Sequence, residues 1–291
     1  MGIYNSLEGK SKILAFYDKA LSKLDVNYID LFVDTRFGKT HILELGSEEG
    51  EPLVIFHGGN ITNPVSLSWF KPLMSDYHIY APDTIGHPGK SDETRISPRD
   101  DSYAHWAVDF LDEIGLNQAN FIGPSYGGGI TLKIAANAPE RISKAVLIIP
   151  SGIANGSKTG LIFEIFIPLL IYKYFPNHDR LVRAVQPMLS EEMDEDLLQH
   201  IGNVLRYVKF EREFPRPVTE QELKGFKAST LVFAGEKDIF FPAEAIIPRV
   251  KAIIPNLAAA ECMKGSNHFP PKQTLDYINK RIKTFLDGTV V

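Results

Sequence analysis

A single cysteine, Cys262, is all the chain has. No disulfide framework can hold it together, and the setting "AAAECMKG" reads as a core strand in which the thiol acts as a small hydrophobe. Positive charge is not in excess either. Lys and Arg total 31 against 36 Asp and Glu, a net charge of -5, so the clustered basic face that nucleic-acid recognition needs is missing and nucleic acid is excluded as a partner. No apolar run is long enough for a membrane span. The greasiest, "LIFEIFIPLLIYKYF" from Leu161 to Phe175, falls short of the roughly 18 to 20 residues required and carries Glu164 and Pro168 inside it. The first residues lack the basic-then-apolar pattern of a secretory signal, so the expected location is the cytoplasm. A myristoylation-like "MGIYNS" has no polybasic second anchor, and sequons at Asn60 and Asn155 have no export signal beside them. All three read as chance matches.

What is present is a globular composition: 44% hydrophobic and 23% charged over 291 residues, enough for one large or two modest domains with a sizeable core. Helical spacing of apolar residues from Leu7 to Leu24 predicts an N-terminal helix. From Val26 to Leu45 a partial alternation interrupted by "RFGKT" predicts two antiparallel strands around a tight turn at Gly38. Six short continuous apolar runs follow: "LVIFH", "HIYAP", "ANFIGP", "AVLIIP", "STLVFAG" and "LAAAECM". Continuous hydrophobicity is what a strand covered on both faces requires. Helical patterns at 102–115, 126–138, 242–254 and 272–287 separate these runs, which implies a mostly parallel α/β sheet with right-handed crossovers and an antiparallel edge. Residues 151–226 break the rhythm with helical periodicity alone. They are expected to form a helical cap inserted before the last two strands, over a core made of 1–150 and 227–291. In such a sheet ligands bind beyond the carboxyl ends of the strands, where an insertion of this kind would sit.

One of those strand ends stands out. "FIGPSYGGG" runs from a buried strand into a helix, and Gly123, Ser125 and Gly127 spell G-x-S-x-G. A serine thrust out of a strand-to-helix turn must adopt strained dihedrals while neighbouring backbones close in, and glycines two before and two after make room. Such a serine is a candidate nucleophile, and the Tyr126 amide at the helix start is a candidate oxyanion donor. A neutral serine needs a base, and the base needs an acid to fix its tautomer. Among eight histidines, His268 in "GSNHFP" follows the last strand and opens a loop that can hang over the strand ends, with His87 as its rival. Asp238 in "AGEKDIFFP" leaves the preceding strand at its carboxyl end, with Glu236 as a backup acid. The chain order serine, acid, histidine is the one found in α/β-hydrolases. A second oxyanion donor is expected from "HGGN", the Gly59 amide first and Asn60 as the alternative, with His57 as a hydrogen-bonding support of that loop.

On "HGGN", "APDTIGHPGKSD", "FIGPSYGGG" with "APERI", "GEKD" and "GSNHF", the chain resembles the α/β-hydrolase superfamily along nearly its whole length. "TRFGKTHILELG" and the elbow are similar to bacterial carboxylesterases of the naproxen-esterase type. Two places depart from the family pattern: "DTIGHPGKS" has an extra residue in a common loop, and Pro124 precedes the serine. The resemblance implies a serine hydrolase that cleaves carboxylic esters with apolar groups through an acyl-enzyme, without metal or cofactor. An aspartate at the elbow would have implied a dehalogenase or epoxide hydrolase instead. Asn60, Phe163, Phe166 and Phe240 are the candidate substrate-binding residues, although most of the apolar 161–170 run is expected to pack on the sheet domain. A C–C bond hydrolase, a thioesterase or a perhydrolase would use the same triad, and a non-catalytic ligand-binding protein could keep the same fold. Oligomeric state is not legible.

Overall fold

Thr35 pairs with Gly38 across a turn of two residues, and Gly38 takes a φ of 126°, a region that glycine enters without Cβ strain. This hairpin joins β1 (Tyr28–Thr35) to β2 (Gly38–Gly46) in a computed structural model that describes residues 2–288. The other strands are β3 (Glu51–Ile55), β4 (Tyr77–Pro82), β5 (Ala119–Pro124), β6 (Ile142–Ile148), β7 (Ser229–Gly235) and β8 (Leu257–Met263). They form one eight-stranded sheet in the order β1-β2-β4-β3-β5-β6-β7-β8. Only β2 runs against its neighbours; from β4 to β8 every pairing is parallel.

Helices cover both faces. On one, Trp106 and Phe110 of the helix Ser102–Glu113, Ile130 of Tyr126–Asn137 and Ile246 of Ala243–Ile253 pack with Phe56 and Phe121. On the other, Tyr17 and Leu21 of Leu7–Leu24 and Ile278 and Ile282 of Lys272–Leu286 pack with Leu53 and Ile122. Burying apolar surface on both sides is why β5 is buried at every position. One expectation fails here. β8 is the edge strand of the sheet, so "LAAAECM" is only partly covered, and Cys262 is exposed rather than in the core.

Between β6 and β7 the chain is helical over most of 158–188 and over Glu195–Tyr207 but not from 208 to 228, with Leu161–Phe166 widened into a π-turn ahead of the α-helix Ile167–Tyr174. Pro168 lacks an amide hydrogen and its ring collides with the carbonyl four residues back, so a wider turn before it relieves both defects. A longer helix, Glu195–Tyr207, lies against the N-terminal helix. Tyr4 bridges Val208, the Asn5 amide donates to the Tyr207 carbonyl at 2.7 Å, and the Lys209 amide donates to the Ile3 carbonyl at 2.8 Å. Residues 3–5 therefore hold the end of this helix beside the N-terminal helix. No helix among the described residues is long and apolar enough to cross a membrane.

At that junction His200 stacks on Phe16, with ring centroids 3.9 Å apart, and its Nε2 lies 3.3 Å from the Thr62 hydroxyl. Burial lowers its pKa to about 3. A histidine lowered on folding takes up its proton more readily in the unfolded chain, so the stability it contributes is complete above pH 6.5 and is lost as pH falls from there toward 3. Each such group can tilt the stability curve by up to about 1.4 kcal/mol per pH unit in that window. His200→Phe keeps the stacked ring and removes the titration. Melting curves from pH 7 to 4 are expected to fall less steeply for the variant than for the wild type, and parallel curves would remove His200 from the acid limb.

Candidate active site

Ser125 sits between β5 and the helix Tyr126–Asn137 with φ 49° and ψ −114°, a conformation that costs a non-glycine residue of order 1–3 kcal/mol. The surroundings enforce it. A Cβ on Gly123 would lie 2.5 Å from the Gly127 carbonyl oxygen, and one on Gly127 would lie 2.6 Å from Phe56 Cβ. Strand and helix approach this closely only because both positions lack side chains. The Ser125 amide donates to the Ile148 carbonyl, and the Ser125 carbonyl accepts from both the amide and the hydroxyl of Ser151. The backbone is thus fixed on both sides while the hydroxyl is left for other work.

That hydroxyl lies 3.0 Å from His268 Nε2, and His268 Nδ1 lies 2.9 Å from Asp238 Oδ2. Asp238 is buried behind the imidazole, and its Oδ1 accepts from the amides of Phe240 (2.8 Å) and Phe241 (3.3 Å). With Oδ1 so engaged, Oδ2 takes the Nδ1 hydrogen, and Nε2 is left with its lone pair toward Ser125. Glu236 is not part of this chain, because its carboxylate accepts from the Gly265 amide at 2.8 Å. Ser190 steadies the loop from the far side: its hydroxyl accepts from the Asn267 amide and donates to the Phe269 carbonyl, both at 2.8 Å, so one side chain brackets His268.

His87 is excluded as the base by its bonds. Its Nδ1 accepts from the Asn60 amide at 3.3 Å, which leaves the hydrogen on Nε2, directed at the Tyr103 hydroxyl 3.3 Å away. Burial holds its pKa well below the usual histidine value, as an accepting imidazole requires. His57 is likewise lowered by burial; it accepts from the Thr84 amide at 2.8 Å and donates to the Gly58 carbonyl at 2.7 Å. Both histidines brace the loop 58–60.

In that loop the Gly58 amide donates to the Ser66 hydroxyl at 3.1 Å and the Asn60 amide to His87. The Gly59 and Tyr126 amides have no hydrogen-bond partner among the described residues, and a Cβ on Gly59 would come within 3.1 Å of the Tyr126 ring. They are two adjacent free donors beside the serine. Asn60 adopts the left-handed region at φ 55°, which asparagine tolerates. Its side chain is not free for a ligand: Nδ2 donates to the Glu211 carbonyl at 2.9 Å, and Oδ1 accepts from the Glu211 amide at 2.7 Å. It latches residues 208–214 to this loop.

A cavity opens above Ser125, lined by Ile165, Phe166, Leu169, Leu205, Phe210 and Phe214 from the segment between β6 and β7, together with Trp69, Phe240 and Phe269. Phe166, Phe240 and Asn60 therefore border it. Phe163 does not. It is 68% exposed on the outer side of the π-turn, beside the exposed Ile162 and Ile167. Phe166 borders the cavity while remaining partly exposed, and the run 161–170, expected to pack mostly on the sheet domain, instead buries only Leu161 and Ile165, because the widened turn leaves one side of it open to solvent. The contributions of residues 188–214, Ser190 and Arg212 included, carry no local motif and were missed by sequence reasoning.

The alpha/beta hydrolase fold family matches residues 51–170. Carboxylesterase YbfK of Bacillus subtilis is 27% identical over 301 residues, covering 99% of this chain and 97% of that protein. An uncharacterized carboxylesterase of the same organism, nap, is 26% identical over 287 residues, covering 94% of this chain and 91% of that protein. The crystal structure of naproxen esterase from Bacillus subtilis superposes with a TM-score of 0.83 at 22% identity, over 97% of this chain and 99% of that one. With this sheet order and this serine turn, the chain has the α/β-hydrolase fold and is similar along nearly its whole length to bacterial carboxylesterases.

Proposed function

We propose that the chain is a serine hydrolase that cleaves small carboxylic esters with apolar groups through an acyl-enzyme intermediate. The observation that carries this reading is the unbroken contact from Ser125 Oγ to His268 Nε2 and from Nδ1 to buried Asp238, beside two unpaired amides. Ser125 Oγ attacks the ester carbonyl as its proton passes to Nε2. The oxyanion forms against the amides of Gly59 and Tyr126, where fixed donors in a water-poor site are worth most. Collapse expels the alcohol, which receives the proton from Nε2. Water then attacks the acyl-enzyme, gives its proton to Nε2, and Ser125 regains it as the acid leaves. Asp238 orients the imidazole and stabilises its charged form throughout.

Residues 151–226 act as a cap over the core 1–150 and 227–291, and their apolar lining favours hydrocarbon acyl or alcohol groups. The mechanism calls on neither metal nor cofactor, and the cytoplasm is its setting. An alkyl fluorophosphonate tests the nucleophile. Wild-type protein is expected to be labelled in proportion to its loss of nitrophenyl-ester hydrolysis, and Ser125→Ala to stay unlabelled. Labelling elsewhere, or hydrolysis that survives full labelling, would overturn the assignment.

A further inference from the structure

Apart from Tyr126, the residues bordering the cavity that can carry charge are His268, Glu211 and Arg212. His268 is committed to Ser125 and Asp238. Glu211 is committed as well: Arg95 donates to its Oε2 at 2.6 Å, and its Oε1 accepts from the Glu213 amide at 2.9 Å. The neighbours along "KFEREFPR" are also engaged. Lys209 donates to the Gly2 carbonyl, Glu213 pairs with Arg99 at 3.0 Å, and Arg216 pairs with Glu222. Among the charged residues of this run, Arg212 alone has neither an ion pair nor a hydrogen bond among the described residues. The residue is exposed and borders the cavity, which places it at the rim of a space walled mostly by hydrocarbon.

The backbone at this point is fixed. The amide and the carbonyl of Glu211 are both held by Asn60, whose own amide is held by His87. Arg212 is therefore presented from a pinned residue, at the end of the cavity wall that is latched to the loop beside Ser125. A guanidinium is planar, permanently charged and suited to bidentate capture of a carboxylate. Resting on the ester-hydrolase reading above, we infer that Arg212 is a specificity residue for anionic esters: it binds a carboxylate that the substrate presents at the cavity rim while its hydrocarbon stem packs in the cavity and its ester lies at Ser125. The preferred substrate class is then the half-ester of a dicarboxylic acid, or an ester of similar shape, rather than a wholly neutral ester.

Matched pairs test this: the monomethyl and dimethyl esters of straight-chain dicarboxylic acids of increasing length, which share a stem and differ in one charge. The readout is the ratio of kcat/KM for monoanion over diester. In the wild type this ratio is expected to peak at one chain length and to fall as salt rises. Arg212→Gln is expected to lower the peak about tenfold, mainly through KM, the size of a charge-assisted hydrogen bond discounted for exposure. Arg212→Lys should retain part of the preference and Arg212→Glu should reverse it. A merely structural role would move both esters of a pair together and leave the ratio alone, which would overturn the inference. Should no ester be turned over at all, the hydrolase reading fails separately. Binding of the two esters to Ser125→Ala, read by the fluorescence of Trp69 in the cavity wall, then decides the matter: equal affinities with and without Arg212→Gln would sink the role assigned to Arg212.

Discussion

Replacing Ser125 by alanine is expected to lower kcat/KM for a neutral nitrophenyl ester by roughly six orders of magnitude, the loss typical of removing a triad nucleophile. The melting temperature should hardly move. The elbow geometry belongs to the backbone and its glycines: the Ser125 amide and carbonyl keep their partners in Ile148 and Ser151, and alanine inherits the same φ. The hydroxyl's only hydrogen-bond partner among the described residues is His268. Whatever hydrolysis persists should come from the amides of Gly59 and Tyr126 and from binding, a residue of about three to four orders over water. His268→Ala should cost a comparable amount, and the double variant little more, because nucleophile and base act as one unit. Steady-state rates of the two single variants and the double variant check this. An additive double variant, or a Ser125→Ala protein active within about a hundredfold of the wild type, would contradict a nucleophile at 125.

The parts of this arrangement that could be read in the sequence are those a short stretch determines by itself. Buried strands show as continuous apolar runs, and each of Ser125, Asp238 and His268 leaves such a run at its carboxyl end, so a parallel sheet alone sends all three to one rim. Coverage by neighbours is a different matter. "LAAAECM" has the composition of an inner strand, yet among the described residues β8 pairs with β7 alone and so lies at the edge of the sheet, and Cys262 is exposed. Coverage is missed in a similar way at Phe163, which the π-turn ahead of Pro168 leaves on the side open to solvent. What was least legible is what joins distant segments. Asn60 holds Glu211, Ser190 brackets His268, and His87 supports the Asn60 amide. Each is a polar contact between loops far apart in the chain, and none imposes a local pattern. His87, the rival base in "TIGHPGKS", is made a support instead by its burial and its two partners.

The second large effect is expected at Asp238. Asp238→Asn keeps size and shape and changes which atoms can accept. Position Oδ1 must still accept from the amides of Phe240 and Phe241, so the asparagine oxygen is drawn there and its NH2 group is turned toward His268 Nδ1. A donor facing Nδ1 forces that nitrogen to accept, which moves the imidazole hydrogen to Nε2. That hydrogen then points at Ser125 Oγ, 3.0 Å away, where a lone pair is needed. The base is thus present, correctly placed and in the wrong tautomer. A fall of about four orders of magnitude in kcat is expected, with little change in KM and with phosphonate labelling of Ser125 slowed in parallel. Asp238→Ala is a weaker test of the same idea, since it also leaves the two amides and the Nδ1 of the half-buried imidazole without partners and so lowers stability. The asparagine variant separates the two effects: a protein that melts like the wild type and has lost only its turnover is the expected result. One that turns over normally would mean that the histidine draws its orientation from elsewhere, the Ser190 bracket on its loop being the first alternative to remove.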